Sequence, residues 1–330
     1  MILGIEIGGT KLQLGVGRGN QAKFETLLRR DVIAENGAQG ILHQIQECVT
    51  QLTRKFEIEC VGIGFGGPVD GANGRVTTSH QIEGWTGFPF VDWFRDELHL
   101  PALLGNDCDC GALAEAKYGA GRNFRTVYYI TVGTGVGGGL IINGHIHGTD
   151  RPAAAEIGHL RPGLHAKAAD ATIESIASGP GIAATARACL RGPSDGIHDR
   201  LLAGGLPRLA TEDKADLLKR CAGNTDALTA LMIAQAAEAG NTGARSILAT
   251  ATDVLGWGIA QVMALIDPDI VVVGGGVSLM GEALFYAPLR EAVSQYLFPP
   301  IQGAWQLAAP TLGEEVVVHG AVALAAGSEC

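Results

Sequence analysis

The sequence predicts an α/β fold, on three observations. Short apolar runs rich in Val and Ile alternate along the chain with segments of helical periodicity. The glycines, 48 of 330 residues, cluster beside those runs, where tight turns and close ligand approach are made. A strand–glycine turn–strand unit occurs twice, once at the head of each half, which suggests two domains of like build facing each other.

The opening unit is Ile2 to Ile7, Gly8-Gly9-Thr10-Lys11, then Leu12 to Val16, a hairpin signal. Ile41, Leu42, Ile45, Val49, Leu52 and Phe56 recur at helical spacing and predict an amphipathic helix over 39–56. Val61 to Phe65 reads as a buried strand ending in Gly66-Gly67-Pro68. Residues 101–105 read as a short strand entering Asn106-Asp107, and 109–118 as a helix with Leu113 and Tyr118 on its inner face. The second hairpin unit is Val127 to Val132, Gly133-Thr134-Gly135, then Val136 to Ile142. Ala-rich helices dominate 174–260. Ile270 to Val273 with Gly274-Gly275-Gly276 reads as a core strand and tight turn, and a last helix covers roughly 314–326. Tyr118-Gly119-Ala120-Gly121 marks a hinge near 118–122. The expected division is a small α/β domain, 1–118 plus 314–330, and a large α/β domain, 119–313.

Composition narrows the function. Hydrophobic residues at 47% and charged residues at 18% exclude a disordered chain. Twenty-four Lys and Arg against 34 Asp and Glu leave a net charge of −10, with no basic run longer than two. Aromatics are 5%. No nucleic-acid partner is expected. Seven scattered cysteines do not read as a secreted disulfide framework. The longest apolar candidate for a span, Val254 to Ile266, stops at Asp267-Pro268, so no membrane partner is expected. The N-terminus opens on a strand without a charged leader, and a cytoplasmic setting is the expectation.

The candidate chemistry lies at the turns. Gly8-Gly9-Thr10-Lys11 and Gly133-Thr134-Gly135 let backbone N–H groups approach a phosphate, with Thr and Lys adding donors and charge. One such turn alone is an ordinary hairpin; two at the heads of two halves point to a bipartite phosphate clamp. Neither is a Walker A loop or a dinucleotide turn, because the strand returns as a strand. Asn106-Asp107 stand at a strand-to-helix junction, where the helix dipole favours an ionised carboxylate. They are a helix cap or, beside the glycine turns, a base for a hydroxyl proton. Glu156 and His159 can hydrogen-bond vicinal hydroxyls of a sugar, form a metal pair or belong to a solvated loop; Glu174 is a cap or a sugar contact. His145, His147, His159 and His165 invite zinc, but their spacing matches no common site and no Cys lies between 111 and 188. Gly274-Gly275-Gly276 alone is an ordinary turn, and it can also let an adenosine lie against backbone.

Taken in order, Glu6 to Lys11, Gly64 to Asp70, Asn106-Asp107, Ile130 to Leu140, Glu156-x-Gly158-His159, Glu174 to Gly179 and Val273 to Ser278 resemble the repressor–ORF–kinase (ROK) family of bacterial sugar kinases, glucokinase-like members included. The resemblance spans nearly the whole chain. It implies an actin/hexokinase-like fold, two ribonuclease H-like domains with a central cleft. It implies ATP on Gly8, Gly9, Thr10, Lys11, Gly133, Thr134, Gly135, Gly274, Gly275 and Gly276, with Mg2+ at the phosphates. It implies sugar on Gly67, Gln81, Asn106, Asp107, Glu156, His159 and Glu174, with Asp107 as general base. Similar proteins are often homodimers, which is the expectation here.

The sequence departs from the family at three places. Glu6 stands where the family has Asp; the longer carboxylate could still hold Mg2+ through water. Gln81 stands where the family has a sugar-contacting Asn. The zinc motif is replaced: its three Cys positions hold His165, Lys167 and Thr172. No zinc is therefore expected, with loop 160–173 held by other packing. The chain begins at the first phosphate motif, ahead of which repressor members carry a DNA-reading arm. The expected activity is transfer of the γ-phosphoryl group of ATP to a hexose hydroxyl, the 6-OH of glucose or a close relative. A polyphosphate donor fits the −10 charge less well. The alternatives are a kinase for an N-acyl amino sugar or fructose, and a catalytically silent sugar-binding member of the same fold.

Overall fold

A computed structural model of the chain describes every residue except 79–81, 193–197, 199–201, 203–204 and 328–330. The first half builds β1 (Ile2–Ile7), β2 (Lys11–Gly17), β3 (Phe24–Asp31), β4 (Cys60–Phe65), a small hairpin of β5 (Val69–Asp70) and β6 (Arg75–Val76), and β7 (Ala102–Asn106). The second builds β8 (Thr126–Val132), β9 (Val136–Ile142), β10 (His145–Ile146), β11 (Ile270–Gly274) and β12 (Leu307–Ala308). The two main sheets run β3-β2-β1-β4-β7 and β10-β9-β8-β11-β12. In each, three antiparallel strands meet two parallel ones on the other side of the opening strand. This duplicated order is the actin/hexokinase-like arrangement.

Helix α1 (Gly37–Thr53) buries Ile41, Leu42, Ile45, Val49 and Leu52 on one face, as its periodicity predicts, and ends three residues before the expected 56. Helix α2 (Phe90–Leu98), not foreseen, drives Phe90 and Phe94 into the first core beside Trp85. Helix α3 (Asp107–Tyr118) begins two residues before the predicted 109, because the Asn106 side chain caps it by accepting from Cys108 N at 2.8 Å. Leu113 faces inward as expected; Tyr118 is half-buried and its hydroxyl donates to Gly19 O at 2.6 Å. Helix Thr242–Ile266 is long and apolar enough to cross a membrane by length and composition, but 61% of its most apolar stretch is buried, with Ile247, Leu255 and Ile259 inside the larger core.

Two helices exchange sides. Helix α3 leaves the first sheet, yet Ala112 and Leu113 pack with Val127, Tyr129 and Ile141 of the second. The C-terminal helix Val316–Ala326 leaves the second sheet and lies on the first, so close that a Cβ at Gly62 would overlap Ala321 O. Where the two helices cross, a Cβ at Gly320 would overlap Cys110 O. Glu115, fully buried on α3, ties both chain crossings together: its carboxylate accepts from Ala120 N at 2.7 Å, Thr311 N at 2.9 Å and Leu312 N at 3.1 Å.

Candidate active site

The first glycine turn is shaped from within. Gly8 N–H donates to Lys11 O at 3.0 Å, and Val32 N–H donates to Thr10 O at 2.9 Å, leaving Thr10 at the exposed tip. The second turn repeats the device: Gly133 N–H donates to Gly135 O at 2.8 Å, and Gly179 N–H donates to Gly133 O. The amides of Gly8 and Gly133 therefore close the turns. The third turn joins the second through Gly275, whose φ of 90° and approach to Val132 (a Cβ would lie 2.6 Å from its N) exclude a side chain.

A cleft of about 540 Å³ brings Glu6, Lys11, Asp107, Gly275 and Gly276 to one space. Glu6 on β1 is buried and held at both oxygens. Lys11 Nζ lies 3.2 Å from Oε1, and Gln13 Nε2 donates to Oε2 at 2.8 Å. Burial is the largest influence on its carboxyl and raises its pKa, against the lowering by Lys11 and Gln13; the nearby Asp107 adds to the rise.

Asp107 opens α3. Its Oδ1 accepts from Cys108 N at 2.9 Å. The spot a Cβ at Gly66 would occupy is 3.7 Å from Asp107 Oδ2 and 3.6 Å from Gly8 Cα, so the carboxylate stands beside the first turn. The helix N-terminus was expected to favour the charged form. Burial outweighs it: desolvation raises the Asp107 pKa despite the lowering by the Cys108 N–H. Asn106 donates from Nδ2 to Gly67 O at 2.9 Å, fixing one wall.

A separate small pocket of about 30 Å³ is lined by Asn106, Asp109 and Glu156, among others, and not by Asp107. Glu156 precedes a single turn, Ile157–His159, that holds His159 exposed. Burial raises the Glu156 pKa; His159 opposes the rise, and Asp107 and Glu174 reinforce it. The four side chains thus share one electrostatic neighbourhood. Glu174 Oε2 accepts from Val136 N at 2.8 Å, which anchors it to the strand leaving the second turn. Gln81 lies outside the described residues.

Loop 160–173 is held by Ile173 N–H on Leu160 O at 2.9 Å, by Arg161 Nη1 on Lys167 O at 3.0 Å, and by buried Ala166, Ala171 and Ile173. Among the described residues, no group of three or more His, Cys, Asp or Glu side chains could hold a metal ion.

Sequence reasoning missed two residues beside the site. Asp109, two positions after Asp107, has its pKa raised to about 7 by burial and by Glu156 and Asp107. Its neighbour Glu156 is remote in sequence, so no local signal marks it. Gln13 had a signal: a hairpin closed at Gly8 and Lys11 pairs Ile7 with Leu12, and hence Glu6 with Gln13.

Fold and cleft define an actin/hexokinase-like protein in which the first glycine hairpin, the Gly275-Gly276 turn and a carboxylate at a helix head border one cleft, while Gly133, Thr134 and Gly135 do not line it. The chain belongs to the ROK family, whose family description matches residues 2–328. It is similar to a glucokinase of Thermotoga maritima, 29% identical over 98% of this chain and 96% of that protein. A glucokinase of Halalkalibacterium halodurans is 31% identical over 81% of this chain and 76% of its own length. Among solved structures, a ROK family glucokinase from Streptomyces griseus in complex with glucose and AMPPNP superposes with a TM-score of 0.78, at 29% identity and 99% coverage of both chains.

Proposed function

We propose that this protein is an ATP-dependent sugar kinase that phosphorylates a hexose hydroxyl, the 6-OH of glucose or a close relative, with Asp107 as general base. One observation carries the reading: Asp107 lines one cleft with Glu6, Lys11, Gly275 and Gly276, beside the first glycine turn, and lies within electrostatic range of Glu156. A phosphoryl donor in the cleft and an acceptor hydroxyl near Glu156 would meet at its carboxylate. The similarity to glucokinases, one of them solved with glucose and AMPPNP, supports the same reading.

The glycine turns, with Thr10, Lys11 and Thr134, hold the phosphates, and Gly274 to Gly276 hold the adenosine. Gly67, Gln81, Asn106, Glu156, His159 and Glu174 orient the sugar. The hydroxyl oxygen bonds to the γ-phosphorus as the bond from that phosphorus to the departing ADP oxygen breaks, and the hydroxyl proton passes to the Asp107 carboxylate. A pKa raised by burial makes Asp107 a better acceptor for that proton. Relative movement of the 1–118 plus 314–330 and 119–313 domains excludes water, a competing nucleophile.

Mg2+, when bound, neutralises charge on the transferring phosphoryl group. A hard carboxylate oxygen suits it. Glu6 borders the cleft, and the single bonds to its two oxygens from Lys11 and Gln13 leave lone pairs for magnesium-bound water. Zinc has no role in this reading, and a cytoplasmic homodimer is the expected form. The test is ADP release over a panel of sugars with ATP and Mg2+, glucose, fructose, mannose and N-acetylated hexosamines included. Sugar-dependent ADP formation is expected with glucose foremost. Saturable sugar binding without ADP formation would make the protein a silent binder.

A further inference from the structure

The Glu6 carboxylate is set by a neighbour that no phosphate motif contains. Gln13 sits directly across the hairpin from Glu6 and is 1% exposed. Its Nε2 donates to Glu6 Oε2 at 2.8 Å and to Glu314 O at 3.3 Å. Lys11 Nζ reaches the same two groups, Glu6 Oε1 at 3.2 Å and Glu314 O at 3.4 Å. The carboxylate is thus clamped at both oxygens, and both clamps share an anchor just before the C-terminal helix.

The orientation of the Gln13 amide follows from its partners. Both groups at the Nε2 end are acceptors, so turning the amide would set oxygen against oxygen. The amide oxygen is left buried with no hydrogen-bond partner. A buried unpaired acceptor opposes folding. Its retention is the kind of local cost expected beside a functional group. The residue it serves is a Glu, whose side chain has one more torsion to fix than an Asp would have.

We propose that Gln13 is a positioning residue for the phosphoryl-transfer reaction: it fixes the Glu6 carboxylate toward the magnesium–nucleotide complex. This role rests on the function proposed above. Partners that orient a carboxylate near a metal typically change metal affinity by about 10–100-fold when removed.

The test uses the full-length protein with Gln13→Met, which conserves volume and removes the donor, and Gln13→Leu should the first misfold. Binding of AMPPNP is measured by calorimetry with and without Mg2+, alongside the Mg2+ dependence of sugar-stimulated ADP release. The expected result is a roughly tenfold or greater weakening of the Mg2+-dependent part of AMPPNP binding. Metal-free binding and the KM for sugar should stay within about twofold, a split that a general loss of structure would not give. In a Glu6→Gln background the same substitution should add nothing, because its effect runs through Glu6. Unchanged Mg2+ dependence in Gln13→Met, or an equal effect with Glu6 already removed, overturns the role. Absence of any Mg2+-dependent nucleotide binding in the parent protein overturns the proposed function and this role with it.

Discussion

Asp107→Asn separates proton acceptance from everything else the residue does. The asparagine keeps an Oδ1 acceptor for Cys108 N–H, a bond of 2.9 Å in the parent, and Asn106 still caps α3. The fold and the sugar pocket should therefore persist. What disappears is a group able to take the hydroxyl proton, which is typically worth about 10²–10⁴ in rate, or about 2.7–5.4 kcal/mol of barrier at roughly 1.36 kcal/mol per tenfold. Stability should move the other way. Burial holds the Asp107 pKa above its ordinary value, so the folded state binds this proton more tightly than the unfolded one. The ionised side chain is then a destabilising burden at neutral and higher pH that protonation relieves. Asp107→Asn should melt higher than the parent at pH 8, and the gap should close as pH falls through the Asp107 pKa. The assays are coupled ADP release at saturating sugar and ATP, sugar calorimetry, and melting curves at pH 8 and pH 4. A rate within tenfold of the parent with sugar binding intact would remove Asp107 from the proton path.

Asp109→Asn tests the neighbouring carboxyl, whose pKa lies at about 7 in the fold against 3.8 for a free side chain. Between those values the folded state keeps a proton that the unfolded state has lost, so parent stability should fall as pH rises from about 4 to about 7. Denaturant titrations should show the variant without that fall: equal to the parent near pH 4 and more stable at pH 8. Glu115→Ala strips the acceptor from three backbone N–H groups at the two chain crossings. At about 1–3 kcal/mol for each buried donor left unpaired, urea unfolding should show a loss of about 3 kcal/mol or more. Gly320→Ala places a methyl group against Cys110 O and should destabilise by about 3 kcal/mol or more, read by the same titration, as α3 and the C-terminal helix are forced apart.

Much of the site was legible because its parts are local. A four-residue glycine turn between two apolar strands fixes a hairpin and its register, and the register alone sets Glu6 opposite Gln13. Asn106-Asp107 announced a helix head at the end of a strand, and the cap is there. The rest depends on distant residues. Strand β12 is only two residues long, Leu307 and Ala308, too short to carry a period. Helix α2 is a different case: Phe90, Val91, Phe94 and Leu98 recur at helical spacing, a signal that was present in the sequence and missed. The upward pKa shifts of Asp107 and Asp109 were illegible because they depend on distant residues. The helix dipole is a sequence-local influence favouring the charged form, whereas the desolvation that outweighs it comes from the packing of both halves around the helix head.

The exchange of helices ties Asp107 to both halves of the molecule. Asp107 leaves β7 of the first sheet, yet the helix it opens packs on β8 and β9 of the second. The contact between Cys110 and Gly320 lies three residues further along, about 4.5 Å at the helical rise of about 1.5 Å per residue. The second half also meets the helix head itself: a Cβ at Gly137 would lie 2.4 Å from Cys108 Sγ, and one at Gly139 would lie 2.7 Å from Cys108 O. Glu115, about one turn and a half beyond Cys110 on the same helix, joins the two chain crossings there, so its loss should loosen the contact between the two halves as well as the fold.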